Sequence, residues 1–538
     1  MRSIIPLSLA RATLTVAAIV GALGSAATAA DGDLALRLRS RVEDRAIPGR
    51  FALIEQSETW NPKETAVIVC DMWDLHHCLN AVRRGGELAP TMDRVLKTMR
   101  DRGATVIHAP SECMDAYADH PARNRAIAAP RSKNIPAGIG EWCKQIPSEE
   151  RGAYPIDQTD GGEDDDLTEH AEWAAKLAKM GRNPKAPWKS QTEMLTIDEA
   201  KDYISVGGEE IWSILEQRGI KNVVLMGVHL NMCVLGRPFG LRQMAKNGRK
   251  VVLVRDMTDT MYNPAMPPKV NHFAGTDLMV EHVEKYVAPT ITSDQILGGS
   301  PFIFKGDKRP HVAMLIAEDE YRTEVSLPAF ASKSLIDGYR VSFVMGDAKD
   351  KNALGDVSAL DSADLAVISV RRRVLPKAQV ALIRKFVAAG KPIVGIRTAS
   401  HAFSPRGTDP IPEGREAWAG FDPEVLGGHY HGHHGETAKV EIGIAGGASP
   451  HPILEGVDAA KIVGHGSLYK VSPLAKTATP LLTGSIPGGD SEPVAWTNAT
   501  TAKGRVFYTS LGQIDDFANP DFVRMLRNAI DWAARRTP

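Results

Sequence analysis

From position 234 to the C-terminus the chain has no cysteine, and the five it does have (Cys70, Cys78, Cys113, Cys143 and Cys233) are an odd number. A disulfide scaffold is therefore excluded, and at least one thiol has no intramolecular partner. Charge of one sign is also lacking. With 64 basic and 65 acidic side chains, the chain is not a basic nucleic-acid binder, and 24% charged against 43% hydrophobic residues excludes a disordered polyelectrolyte. After the first thirty residues no apolar run approaches the twenty residues of a membrane span. What remains is a globular chain whose 538 residues call for two or three hydrophobic cores.

The start of the chain reads as a targeting segment. Arg2 and Arg11 precede the small and apolar run ATLTVAAIVGALGSA, which ends in Ala27-Thr28-Ala29-Ala30, an A-x-A cleavage pattern. Residues 1–30 are expected to be a signal peptide and the mature protein to be periplasmic or secreted, with no stable membrane span after cleavage. In that oxidising setting a free thiol is more notable.

Short β-branched runs then alternate with segments of helical period, the pattern of parallel sheets with crossover helices. Thr65–Cys70, Ala104–His108, Asn222–Met226 and Lys250–Val254 read as buried strands, Ala89–Arg102 and Glu209–Arg218 as helices. Residues 146–190, rich in Asp, Glu, Lys and Pro, read as a solvated insertion over the sheet. A second series follows a linker-like stretch, with strands at His311–Ile316, Arg340–Val344, Leu365–Ser369, Pro392–Ile396 and Arg505–Thr509. Helices are expected at Leu375–Ala389 and Pro520–Ala534. The expected fold is α/β: two three-layer domains with mainly parallel sheets, over 31–295 and 310–538, joined by a linker at 296–309. There is no internal repeat, so the halves are not a duplication.

The segment GVHLNMCVLGRPFGLRQMAKNGRKVVLV places Cys233 just after a strand, at the start of a helix expected to run to Ala245. Unpaired backbone N–H groups and the helix dipole there favour a thiolate. The alternative is a buried structural cysteine. Together, AVIVCDMWD ending the first strand, GVHLNMCV, and the following helix, strand and RDMTDT resemble the isochorismatase-like cysteine hydrolases over about residues 60–290. The resemblance implies an Asp-Lys-Cys triad that attacks an amide or related carbonyl. By position the nucleophile is Cys233 and the carboxylate Asp71; Lys201 fits the lysine, with Lys189 in reserve. The backbone N–H groups of His229 and Cys233 are the candidate oxyanion donors, and the Val228–His229 peptide is expected to be cis. The chain departs from its relatives at Leu230, where they usually carry threonine, and at Arg237-Pro238, where their helix face is smaller. Arg237, Arg242 and Trp73 are candidate pocket residues for an anionic or planar substrate.

No metal or other cofactor is expected. Asp74, His76, His77, His108, Asp115 and His120 do not have the spacing of a metal set in such relatives. The denser GGHYHGHHGE puts His429, His431 and His433 at a spacing of two, which on a strand would share one face, but its glycines favour a polar loop lining a cleft.

Residues 310–538 resemble the ThuA-like proteins, associated with trehalose utilisation and related in fold to class I glutamine amidotransferases. The likeness rests on HVAMLIAEDEY, KPIVGIRTASHAF, VLGGHYHGHHG, GRVFYTSLGQIDDF and FVRMLRNAIDWA. The amidotransferase nucleophile position holds Arg397, with Thr398 next, so glutaminase chemistry is not expected. Glu318, Arg397, His401 and His429 are candidate cleft residues for a sugar-like ligand. The sequence therefore points to an exported cysteine hydrolase of a small amide-like substrate fused to a carbohydrate-associated domain. The alternative is a catalytically altered binding protein on both folds. The resemblance also implies a homo-oligomer, and no nucleic-acid partner is expected.

Overall fold

In the computed structural model, residues 32–45, 47–435, 439–447, 450–486, 489 and 491–536 are described. The signal-peptide segment lies outside them. Among the described residues no helix is long and apolar enough to cross a membrane.

The first domain opens with a hairpin absent from the sequence reading, β1 (Leu34–Glu43) and β2 (Phe51–Trp60). Its signal was present in LALRLRSRV, where Leu34, Leu36 and Leu38 point into the core and alternate with Ala35, Arg37 and Arg39 on the other face. Next come β3 (Thr65–Cys70), α1 (Leu79–Asp101), β4 (Thr105–Ala109), α2 (Pro121–Ile127), α3 (Leu167–Lys179), β5 (Tyr203–Ile204) and α4 (Gly208–Gln217). Then follow β6 (Asn222–Val228), α5 (Leu241–Lys246), β7 (Lys250–Asp259), α6 (His272–Tyr286) and β8 (Thr290–Ile291). They form one eight-stranded sheet, in the order β2-β1-β8-β7-β6-β3-β4-β5, parallel except where β1 pairs with its neighbours. Alternate side chains of β3 enter different cores. Val67 and Val69 pack with α1, whereas Ala66, Ile68 and Cys70 pack on the face of α4 and α5. Burial on both faces is why such strands read as unbroken apolar runs.

Two helices differ from expectation. α1 begins ten residues earlier than the periodicity indicated, across Gly85-Gly86 and through Pro90. Its N-terminus is capped from a distance: Asp165 accepts from the backbone N–H groups of Leu79 and Asn80, each at 2.7 Å. The helix expected from Cys233 to Ala245 is broken. Leu230–Val234 forms a π-helical turn, the chain kinks at Arg237–Gly240, and α5 begins only at Leu241. Pro238 has no N–H to continue the ladder, and the break leaves Arg237 free to turn towards the end of β3.

The second domain holds a nine-stranded sheet. Arg340–Met345, His311–Ala317, Leu365–Val370, Ile393–Ile396 and Arg505–Thr509 run parallel, and Ser491–Ala499, Thr479–Ser485, Val440–Ile444 and Val463–Gly464 continue antiparallel. The stretch 296–309 lies against the first domain, with Phe302 and Phe304 packed on its core and the Phe302 and Lys305 N–H groups bonded to Asp256 and Glu87. Between the domains, Arg37 pairs with Asp356 at 2.8 Å, Arg322 with Asp44, and Asp337 accepts from the Asn271 N–H at 2.7 Å.

Candidate active site

β3 and β6 are neighbours and parallel, so Asp71 and Cys233, which follow them, arrive at the same carboxyl end of the sheet. Open α/β sheets bind ligands at this end. The approach is close. A Cβ on Gly227 (φ +121) would lie 2.1 Å from the Cys70 carbonyl oxygen, so β6 needs glycine there. The next peptide, Val228–His229, is cis.

Asp71 is fully buried and its backbone is left-handed (φ 49), a conformation an L-residue adopts at a cost. One carboxylate oxygen accepts from the Ser111 N–H at 2.8 Å and the other from Arg237 Nε at 3.1 Å. The Cys233 side chain lies beside Asp71, near the His229 backbone, close enough for its charge and that of Asp71 to act on each other. Burial pushes the Asp71 carboxyl above the usual range, opposed by Arg237. Burial, then the Asp71 charge, push the Cys233 thiol well up. The helix-terminus argument for a resting thiolate is thus overturned. In this dry site the sulfur is a protonated thiol paired with a base, because desolvation and a neighbouring anion outweigh Arg237 and the His229 N–H.

The structure does not bring Lys201 to this pair. Its ammonium is 3.7 Å from Asp198, with the side chain 63% exposed, and Lys189 is likewise on the surface. The neighbour of Lys201 faces inward instead: Asp202 binds Arg100 at 2.6 Å and His108 at 3.1 Å. The cation beside Asp71 is Arg237, held on its far side by Glu112 at 3.2 Å and beneath the Trp142 ring at 5.2 Å. Arg242 points elsewhere, into an ion pair with Glu149. Trp73 joins an aromatic wall with Trp188 (4.7 Å, stacked) and His76, and His76 packs on His229 at 4.9 Å. Burial holds His76 well below the ordinary histidine range and His229 at about 4, so both rings are neutral at pH 7. Trp188 comes from the 146–190 insertion. That insertion is part of the site's wall, which composition alone did not signal.

All five cysteines are free and buried. Among the described residues the group best arranged for a metal is Cys78, Asp164 and Asp165. These residues already cap α1 and pair with Arg84 at 2.7 Å. His429, His431 and His433 do not converge. Their Nδ1 atoms meet, respectively, Asp422, the His429 carbonyl and the Tyr430 hydroxyl.

In the second domain Arg397 occupies a left-handed turn (φ 48) after its strand and is buried. Its guanidinium lies between the Tyr321 and Tyr469 rings, at 4.2 and 4.5 Å, and donates to the Ser510 and Ser467 carbonyls. A Cβ on Gly466 would collide with it at 2.0 Å. The carboxylate of Glu318 is likewise occupied, accepting from the N–H groups of Glu320, Tyr321 and Thr323. Both side chains shape the loop over the sheet. His401 is buried, whereas His429 is open, with 60% of its side chain exposed.

The family model of the isochorismatase domain matches residues 65–295, and that described as trehalose utilisation (ThuA) matches residues 315–533. Among solved structures, a ThuA-like protein from Bacteroides uniformis is 17% identical, covering 44% of this chain and 95% of that one, with a TM-score of 0.33. A cysteine hydrolase from Pseudomonas syringae pv. phaseolicola is 14% identical, covering 44% and 92%, with a TM-score of 0.27. An isochorismatase family protein from Burkholderia thailandensis is 16% identical, covering 36% and 79%, with a TM-score of 0.20. No curated protein matches the chain. The chain is thus a two-domain, hydrolase-like protein, an isochorismatase-family domain followed by a ThuA domain.

Proposed function

We propose that the first domain is an exported cysteine hydrolase that cleaves the C–N bond of a small amide-like substrate. The observation that carries this reading is the placement of the Cys233 thiol beside the buried Asp71 carboxylate, at the ends of the neighbouring parallel strands β6 and β3. Asp71 takes the thiol proton as Sγ bonds to the substrate carbonyl carbon, and the oxyanion forms near the His229 N–H. The protonated Asp71 then gives its proton to the leaving amine as the C–N bond breaks, leaving a thioester. Water attacks that thioester, Asp71 accepts its proton, and the C–S bond breaks as the sulfur regains a proton. Arg237, rather than Lys201, supplies the fixed positive charge that keeps Asp71 ionised. The neutral aromatic wall of Trp73, Trp188 and His76 suits a planar, uncharged group. The second domain is read as binding a sugar-like ligand at the carboxyl ends of its parallel strands.

The test is amide hydrolysis across a panel of small primary amides and ureides, comparing the native protein with Cys233→Ala. A thioester trapped on Cys233 and seen by mass spectrometry supports the reading. Equal ammonia release by Cys233→Ala refutes it.

A further inference from the structure

The second domain carries a cluster that the cysteine chemistry does not use. Arg372 follows the strand Leu365–Val370 and His401 follows Ile393–Ile396, and these strands are parallel neighbours. The Arg372 N–H donates to the His401 carbonyl oxygen at 3.1 Å, which ties the two loops together, and Arg372 is itself left-handed (φ 49). Its neighbour Arg371 is neutralised by Glu320 at 2.7 Å and Asp319 at 3.4 Å. Arg372 has no such partner. Its guanidinium donates to the Pro405 carbonyl at 3.1 Å, and among the described residues no carboxylate lies within 4 Å.

Around this cation stand neutral groups. His401 is 5% exposed, packs on the Tyr430 ring at 4.5 Å, and its Nδ1 has no partner, a cost that a ligand hydroxyl would remove. Asp422, 4% exposed, holds His429 through Nδ1 at 3.1 Å and leaves the rest of that exposed ring available. An acidic side chain that hydrogen-bonds one imidazole nitrogen in this way fixes the nitrogen presented outward. Burial holds His401 at about 3 and Asp422 up at about 8, so both are uncharged at pH 7 beside the Arg372 guanidinium, whose neighbour Arg371 is already paired.

Resting on the reading of this domain as a sugar-like binder, we propose that Arg372, His401, Asp422, His429 and Tyr430 form a second site that binds a small polyhydroxy carboxylate of the uronic- or aldonic-acid class. Arg372 takes the carboxylate, and the histidines and Tyr430 take the hydroxyls.

Isothermal titration calorimetry on the full chain, with D-glucuronate and D-glucose as probes, tests the site. Glucuronate is expected to bind at least tenfold more tightly than glucose. Arg372→Gln should bring glucuronate to the glucose level, Arg372→Lys should retain part of the difference, and His429→Gln should weaken both probes. Cys233→Ala should change neither. Equal affinity for the two probes, or glucuronate binding unaltered in Arg372→Gln, overturns the carboxylate site while leaving the sugar-like reading intact. Binding of neither probe overturns both. Glucuronate binding abolished by Cys233→Ala assigns the ligand to the first domain and also overturns the proposal.

Discussion

Arg237 Nε stands 3.1 Å from Asp71 Oδ2, and Cys233, four residues earlier in the chain, lies beside the same carboxylate. Nucleophile and cation thus share one buried base. Each of the three controls the protonation of the others, so removing them has effects of opposite sign on thiol reactivity.

Asp71→Asn removes the anion that raises the Cys233 thiol and leaves the Arg237 charge beside it. Alkylation of Cys233 by iodoacetamide at pH 7 is expected to rise by about tenfold, one pKa unit being a factor of ten. Amide turnover should fall by about 10²-fold or more, because the proton carrier is gone. Mass-resolved alkylation kinetics beside a turnover assay separate the two.

Arg237→Met should lower both alkylation and kcat, with guanidine in the buffer restoring part of kcat. Arg237→Lys should retain more activity than Arg237→Met, because charge survives while the contact to Glu112 is lost. Lys201→Met should leave kcat within about twofold. A drop comparable to that of Arg237→Met would return the lysine to the catalytic group.

Glu149 sets an acid limit on the first domain. Burial would raise its carboxyl, but hydrogen bonds from His282 and Arg242 hold it down to about 2, against 4.5 for the free group. The depressed group adds stability that is complete above about pH 4.5 and is lost as the pH falls towards 2. Glu149→Gln should destabilise the domain at pH 7 and flatten its melting temperature between pH 5 and 3, read by calorimetric scans at each pH.

Arg397→Met removes two carbonyl contacts and the cation between two tyrosines. The second domain should lose about 2–4 kcal/mol, seen as a lower melting transition, while amide turnover by the first domain is unchanged.

The α/β order and most strands of both domains were legible because their residues are buried on both faces and β-branched, as in Thr65–Cys70 and Arg505–Thr509. Asp71 and Cys233 were legible from their place at strand ends. Arg237 was not read as the partner of Asp71: Pro238 marks a break in the helix, but nothing in LGRPFG states that the break turns the arginine towards Asp71. Lys201 looked suitable by spacing, yet a lysine one residue from a buried aspartate gives no sign of which one faces the core. The start of α1 was hidden for a related reason: its cap, Asp165, comes from a loop some eighty residues away.

The hairpin at the start of the described chain has a consequence for the order of assembly. β1 joins the parallel strands only through β8, where Arg39 pairs with Thr290. The first strand to be synthesised must therefore wait for the last strand of its domain. A growing chain shorter than about 290 residues carries this hairpin with one edge unpaired, open to other chains. Nascent chains ending at residue 285 are expected to be cut by protease within 34–60, and chains extended past residue 297 to resist it.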